Sequence, residues 1–491
     1  MSHTLSLQDL IAICKPLSTS GRVPASVGRL CVDSRLLGVG DVFIAVKGPQ
    51  VDGHRYIDDA IRAGASVIIA DKEVQSDAVF SMVVADTRPL VGVLALAERG
   101  NPQEGMKLIG ITGTNGKTTI STLIYQVMHS LGYRCGLIGT VEKRIGDTVV
   151  DSKLTTPGPL EIADDLAAMA EAGCSHVIME VSSHALNQYR TAGLLFAVAG
   201  FSNLSQDHLD YHHTMEAYAA SKSLLFAGLD PSAVAVVNGD DPWMQAVFGQ
   251  SKAQCWNLGF EKGSGNHIIE LSARGLMLDM EGTIIESPLT GRFNAYNVGM
   301  AWLMCVAAGC SPANAATALS HASGAAGRME RVENGPEGPI VFVDYAHTPD
   351  ALENVLKTAN GIKDKGRLVV IFGCGGNRDT GKRPLMAAIA ERFADEVVVT
   401  SDNPRFEDPE TIIDDIFAGF RSPELVRREA DRPKAILDTI CACQSNDIVM
   451  VAGKGHESYQ EIQGVRYPMD DRQIAHEALQ CWHRTNTPEV V

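Results

Sequence analysis

Between Gly110 and Ile120 the chain reads GITGTNGKTTI, a glycine-rich turn ending in Gly116-Lys117-Thr118. These residue types suit a triphosphate. Backbone N–H groups at a strand-to-helix turn face an anion. Lys117 has the reach for β- and γ-phosphate oxygens, and the Thr118 hydroxyl can ligate Mg²⁺. A standard phosphate loop is G-x-x-x-x-G-K-[ST]. Here Ile111 holds the first Gly position, while Gly110 and Gly113 stand out of register. The plainer alternative is a glycine turn with a solvated lysine. The strand-like MKLIGIT before the turn and the helical pattern after it favour the nucleotide.

Other chemistry-bearing residues follow. In IMEVSSHALNQYR, Glu180 ends an apolar strand near the loop, either as a Mg²⁺ ligand or as a strand-end acid in water. SNLSQDHLDYH gathers Asn203, Asp207, His208, Asp210, Tyr211 and His212 in one short stretch. Lys222 in YAASKSLLF reads, from composition alone, as a solvated helix lysine. Thr155 and Thr156 in LTTPGP precede a predicted helix and could cap it or bind a phosphate or carboxylate there.

The elements that must position these groups alternate along the chain. MKLIGIT, HVIMEV, FAVAGFS and AVAVVNG read as strands, with helical patterns such as GPLEIADDLAAMAEAG between them. That alternation predicts an α/β protein with a mainly parallel sheet covered on both faces. After a linker, ENGPEGP, it restarts with IVFVDYA, RLVVIFG, EVVVTS and DIVMVAG, a small doubly wound domain. Ligands in such sheets bind at the strands' carboxyl ends, here DYAHTP, GCGGNRD, SDNPR and GKGHE. Before residue 104, DVFIAVKG and ASVIIAD read as short strands, and ERGNPQEG as a linker. Three domains are expected: 1–104, 105–333 and 334–491.

Lys plus Arg number 42 against 59 Asp plus Glu, a formal net charge of −17. This opposes a general nucleic-acid binder, which needs a basic surface. The eleven Cys show no metal-type pairs of pairs, so free thiols in a reducing cytoplasm are expected. MSHTLSLQDLIAICKPL lacks a signal peptide's apolar run, and GMAWLMCVAAGC is too short to cross a bilayer. The reading is a cytoplasmic protein with no nucleic-acid partner and no membrane insertion.

TGTNGKTT resembles the ATP loop of the Mur ligase and folylpolyglutamate synthase superfamily, which lacks that first Gly. The resemblance covers nearly the whole chain. It implies three domains: a uridine-binding α/β domain, a P-loop-type ATPase domain and a Rossmann-like amino-acid domain. It also implies an ATP-dependent amide-bond ligase that activates a carboxylate as an acyl phosphate, in peptidoglycan synthesis. ATP would sit on Gly113, Thr114, Asn115, Gly116, Lys117, Thr118 and Thr119. Asn294 in GRFNAYN and Arg328 in GRMERV would add contacts. Glu180 and His208 would hold magnesium with Thr118. Lys222, as a CO₂ carbamate, would make room for a second Mg²⁺. Lys117, Lys222 and His208 would carry the catalysis. The expected state is a monomer, with domain closure before chemistry.

TTP and SSHALNQYR resemble the muramyl tripeptide synthetase branch of that family. The acid would be UDP-N-acetylmuramoyl-L-alanyl-D-glutamate, bound by Thr155, Thr156, Ser182, Gln188 and Arg190. Ser34 and the backbone around Gln50 would face the uridine. Leu154 stands where the family often has Asn. DNPR, Asp402-Asn403-Pro404-Arg405, resembles the motif of members that add meso-2,6-diaminopimelate. Arg405 could grip that amino acid's distal carboxylate bidentately. Lysine would leave the guanidinium without its carboxylate partner. Arg378, Gly453 and Glu457 match further contacts, with Glu457 pairing an ammonium. The plain reading of DNPR is a proline turn with a solvated arginine. A folate-polyglutamylating ligase and a non-catalytic nucleotide-gated binding protein are the alternatives.

Overall fold

The computed structural model describes residues 5–48, 51–261, 263–332 and 338–486. Gln50 and residues 333–337 of the second expected linker lie outside the described residues. The chain divides into two compact units, 1–261 with 300–315, and 262–299 with 316–491. The N-terminal and central sections thus fall in one unit, and residues 262–299 go with the C-terminal section.

In the first unit, a five-stranded sheet uses short strands that include Val42–Ile44 and Val67–Ala70. The expected linker at 98–105 is ordered: helix Arg88–Glu98 runs to Glu98, and Pro102 opens a 3₁₀ turn, Pro102–Gly105. Proline suits such a first position because its missing N–H would be unpaired there anyway.

The central sheet has eight strands: β1 (Lys107–Thr112), β2 (Cys135–Ile138), β3 (Lys143–Ile145), β4 (Thr148–Val150), β5 (His176–Glu180), β6 (Phe196–Phe201), β7 (Val234–Asn238) and β8 (Gln254–Leu258). Their order is β8-β7-β6-β1-β5-β2-β3-β4. All pairs are parallel except the edge, where β3 pairs antiparallel with β2 and β4. β1 lies between β5 and β6, so the loop after it emerges beside Glu180 and the loop after Phe201. Helix α1 (Lys117–Ser130) follows that loop. It buries Ile120, Leu123, Ile124, Val127 and Met128, the i, i+3, i+4, i+7, i+8 spacing that covers a sheet.

The second unit holds a six-stranded sheet: β9 (Glu330–Arg331), β10 (Ile340–Asp344), β11 (Leu368–Phe372), β12 (Glu396–Val399), β13 (Arg427–Arg428) and β14 (Ile448–Ala452), ordered β9-β10-β14-β11-β12-β13. β10 to β14 are parallel. Alternate residues feed two cores. Leu368, Val370 and Phe372 pack in one, with helices Pro349–Ile362 and Lys382–Phe393. Val369 and Ile371 pack in the other, with helices Arg432–Cys441 and Asp471–Asn486. That is a doubly wound layer, as the near-continuous apolar strands require. Two elements outside both main sheets escaped the sequence reading. They are the antiparallel sheet Asn266–Ser272, Gly275–Met280, Thr283–Ser287 and the hairpin Tyr459–Ile462 with Val465–Pro468.

All eleven cysteines are free thiols. GMAWLMCVAA of that stretch lies on helix Arg292–Ala308, with Gly309 and Cys310 beyond its end, and Met300, Met304 and Cys305 are buried. No described helix is long and apolar enough to cross a membrane.

Candidate active site

The Gly110–Ile120 segment runs strand, loop, helix. Gly113 has φ 147°, and a Cβ there would stand 2.0 Å from the Ser202 hydroxyl. Gly116 precedes α1 at φ 89°. Only glycine fits both without strain. The loop is zipped to the segment after β6. Thr114 N donates to Asn203 O at 2.8 Å, Ser205 N donates to Thr114 Oγ1 at 3.0 Å, and Ser202 Oγ donates to Asn115 O at 2.6 Å. The Thr114 side chain is buried against Tyr218, while Asn115 is exposed at the loop tip. Thr119 is buried on α1.

Lys117 Nζ bends back to Gly113 O and Thr114 O at 3.0 and 2.8 Å. Lys222 reaches the same Gly113 oxygen at 2.7 Å from helix α2 (Met215–Ala227). Lys222 is not a solvated lysine: it is 1% exposed, with Nζ 4.4 Å from the Tyr218 ring centroid. Burial, reinforced by the Lys117 cation, pushes its amine well below the ordinary lysine range, against a small opposing pull from Asp207.

Glu180 is 0% exposed. Thr118 Oγ1 and Thr140 Oγ1 each donate to its Oε2 at 3.0 Å, and Thr140 N donates to Oε1 at 2.8 Å. Thr140 Oγ1 also meets Thr155 Oγ1 at 3.0 Å, so one threonine links the acid to the TTP segment. Sequence reading passed over Thr140, which carries no motif signal.

Mg²⁺ fits this donor set. Glu180 is a buried carboxylate held by hydroxyl and amide donors, and among the described residues no Lys, Arg or His pairs with it. Beside it stands the Thr118 hydroxyl. The Lys222 amine, held toward its neutral form, has the chemistry that CO₂ addition needs. No cluster of three His, Cys, Asp or Glu suited to a metal occurs among the described residues, so hydroxyl, phosphate and water oxygens would have to complete a Mg²⁺ shell. His208 is about half exposed, 3.5 Å from Asp207, with φ 53°. Its ring packs on His184 at 4.9 Å and edge-on to Tyr218 at 6.2 Å, the tyrosine that Lys222 also meets.

His212 is buried in the same aromatic group, stacked on Tyr218 and hydrogen-bonded to the Ser183 and Ser221 hydroxyls. Burial first, with smaller contributions from the neighbouring His184, Lys222 and His208, pushes its imidazole down to about 4; Asp210 opposes weakly. A group depressed in the fold and ordinary in the unfolded chain binds its proton more readily when unfolded. The His212 contribution to stability is therefore full above pH 6.5 and is lost as pH falls through about 4. Urea denaturation from pH 7 to pH 4 is expected to show this loss, and His212→Asn to flatten it.

A cavity of about 1210 Å³ in the first unit is lined by Ser34, Gln188 and Arg190, together with Arg35, Arg88 and Tyr211. Three expected substrate residues thus converge. Gln188 Oε1 accepts from Arg190 Nη2 at 2.7 Å, and Arg190 Nη1 donates to Thr156 O at 2.8 Å. Thr156 is buried, its hydroxyl donating to Glu180 O and accepting from Ser182 N. Neither threonine caps the next helix, which starts at Pro159 behind Gly158. Ser182 caps the short helix Ser183–Asn187. Thr155, Thr156 and Ser182 form the scaffold beside the cavity and do not line it.

In the second unit, the loops after β11, β12 and β14 carry the expected amino-acid residues. Arg405 is held at φ 53° by backbone bonds to the hairpin, from its N to Glu461 O and from Gln463 N to its O. Its Nη1 donates to Gly376 O at 2.9 Å, and its Nε lies 3.5 Å from Glu461 Oε2. Pro404, Asp402 and Asn403 are buried, and Arg378 is exposed. Gly453 has φ 121°, and a Cβ there would meet Asp402 Oδ2 at 2.6 Å. Glu457 pairs an ammonium, that of Lys454, at 3.0 Å.

Asn294 is buried, bonded to Thr290 O and Asn297. The Arg328 guanidinium lies over Tyr345 at 5.3 Å, and its Nε is buried without a hydrogen-bond partner in this structure. Asp344, at the end of β10, accepts Met329 N at 2.6 Å. Burial pushes its carboxyl up to about 6 against the pull of Arg328. Asp344 and Tyr345 were quoted in DYAHTP but not singled out.

A phosphate-type loop on one parallel sheet and a polar strand-end site on a second, doubly wound sheet define a nucleotide-dependent two-substrate enzyme. Three family models match in order: "Mur ligase family, catalytic domain" at 27–100, "Mur ligase middle domain" at 111–305, and "Mur ligase, glutamate ligase domain" at 327–455. The chain belongs to the Mur ligase family. Within it, the chain is 41% identical to a UDP-N-acetylmuramoyl-L-alanyl-D-glutamate–2,6-diaminopimelate ligase of Cytophaga hutchinsonii, over 97% of this chain and 99% of that one. It is 42% identical to the enzyme of the same name from Ectopseudomonas mendocina, over 95% and 99%. A solved structure of a ligase of that name aligns with TM-score 0.74 and 33% identity, over 98% and 99%. The folylpolyglutamate synthase of Mycobacterium tuberculosis shares only the fold, at 20% identity and TM-score 0.57, over 74% of this chain and 92% of that one.

Proposed function

We infer that this chain is an ATP-dependent ligase that joins meso-2,6-diaminopimelate to the D-glutamate of UDP-N-acetylmuramoyl-L-alanyl-D-glutamate, in peptidoglycan synthesis. The observation that carries this is identity of about 40% along nearly the whole chain to ligases of that one activity.

The D-glutamate side-chain carboxylate attacks the γ-phosphorus of ATP, ADP leaves, and an acyl phosphate forms. A neutral amine of diaminopimelate then adds to the acyl carbon and phosphate leaves, giving the amide. Gly113–Thr119 backbone groups cradle the triphosphate, and Lys117 swings from its loop carbonyls to the phosphate oxygens. Thr118, Glu180, His208 and carbamylated Lys222 would hold two Mg²⁺ ions. Bound there, the metal neutralises charge between the γ-phosphate and the incoming carboxylate. Asn294 and Arg328 contribute to ATP. The 1210 Å³ cavity receives the UDP-muramoyl dipeptide through Ser34, Gln188 and Arg190, with Gln50, Thr155, Thr156 and Ser182 adding further contacts. Arg405 takes the distal carboxylate of diaminopimelate, and Glu457 takes an ammonium. The three domains are 1–104, 105–333 and 334–491. The enzyme acts in the cytoplasm as a monomer.

Incubation with ATP, the UDP-muramoyl dipeptide and diaminopimelate is expected to extend the dipeptide by one diaminopimelate residue, seen by mass spectrometry. Extension of a folate by glutamate instead would overturn the assignment.

A further inference from the structure

Lys454, just after β14, is 0% exposed. A buried ammonium needs a full set of partners. It donates to Asn403 Oδ1 and to Glu457 Oε2, each at 3.0 Å, and lies 5.4 Å from the Tyr459 ring centroid. Asn403 Oδ1 also accepts from Glu461 N at 2.9 Å, so both its lone pairs are used. Its Nδ2 donates to Glu457 Oε2 at 2.8 Å. Lysine has no acceptor, so this pattern fixes which way the amide points.

The consequence reaches both poles of the amino-acid site. Glu457 Oε2 is held by two donors, while Oε1 makes no hydrogen bond among the described residues. Glu461, anchored on Asn403 through its backbone, sets its carboxylate 3.5 Å from Arg405 Nε. Arg405 Nη2 likewise makes no hydrogen bond among the described residues.

We propose that Lys454 is a positioning residue for the amino-acid substrate. By locking Asn403 it aims Glu457 Oε1 at the substrate ammonium and keeps Glu461 beside Arg405, which meets the distal carboxylate. It acts on binding of the amino acid and not on phosphoryl transfer. This rests on the function proposed above.

The test is ADP release by the full-length enzyme against diaminopimelate concentration, at saturating ATP and UDP-muramoyl dipeptide. Lys454→Met is expected to raise KM for diaminopimelate by about 30-fold, the loss of charge-assisted hydrogen bonds, with kcat held within about threefold. KM for ATP stays unchanged. In the Glu457→Gln background, Lys454→Met adds less than about threefold, because both act through one carboxylate. Lys454→Gln keeps a donor in the buried position, covers the case in which Met does not fold, and is expected to show the same split. An unchanged KM for diaminopimelate, an equal loss in KM for ATP, or fully multiplicative effects in the double variant would overturn the proposal. Wild-type ADP release that ignores diaminopimelate would instead overturn the proposed function, so the two failures differ.

Discussion

Lys117→Ala is expected to lower kcat/KM for ligation by about 10³-fold, roughly 4 kcal/mol of transition-state stabilisation. The reason lies in the charges around Gly113. Two lysines converge on its carbonyl oxygen, but they are not equivalent. Lys222 is buried and driven toward its neutral amine, so Lys117 remains as the mobile cation at the loop. Removing it leaves the developing charge on the transferred phosphoryl group without its lysine partner. Backbone capture of the triphosphate should persist, so ATP affinity falls less than turnover. Stopped-flow nucleotide binding alongside steady-state rates separates the two. An Ala variant within about tenfold of wild-type turnover would contradict the role, since one such donor is worth more than that.

The second large effect concerns the amine. Arg405→Ala is expected to cut kcat/KM for diaminopimelate by about 10²-fold, near 3 kcal/mol for a lost charge-assisted pair. KM for ATP and for the UDP-muramoyl dipeptide should be unchanged. Ala keeps the Cβ at φ 53°, so backbone strain is equal on both sides of the comparison. Discrimination against lysine should collapse in the same variant, because the guanidinium that penalises a missing carboxylate is gone. Parallel kinetics with the two amino acids measure both. Equal losses with ATP and with diaminopimelate would contradict the assignment.

Much of this was legible in residue order. Apolar runs placed four strands of each parallel sheet, because strands buried on two faces leave a continuous Val/Ile signature, and missed Cys135–Ile138, Gln254–Leu258 and Arg427–Arg428. The phosphate loop was legible despite Ile111, since its strand, its glycines and its lysine each leave a local trace. Contacts made across the fold were not. From composition alone Lys222 read as solvated, because nothing in YAASKSLLF says that its helix turns that face inward, toward the Gly113 carbonyl. Thr140 reaches Glu180 across 40 residues, and Lys454 reaches Asn403 across 51. Thr156 read as a ligand or a cap; it does not cap the next helix, and its hydroxyl bonds the backbone at Glu180 and Ser182. The strands between Asn266 and Ser287 were missed because their alternation is diluted by exposed Ile269, Leu271 and Ile284.

The central claim is that ATP cleavage here is coupled to joining one acid to one two-headed amino acid. ADP release in the presence of the UDP-muramoyl dipeptide tests it most directly, comparing no amine, lysine and diaminopimelate. The account predicts sustained turnover with diaminopimelate, little with lysine and little without an amine. Equal rates in all three, or a preference for lysine, would contradict it.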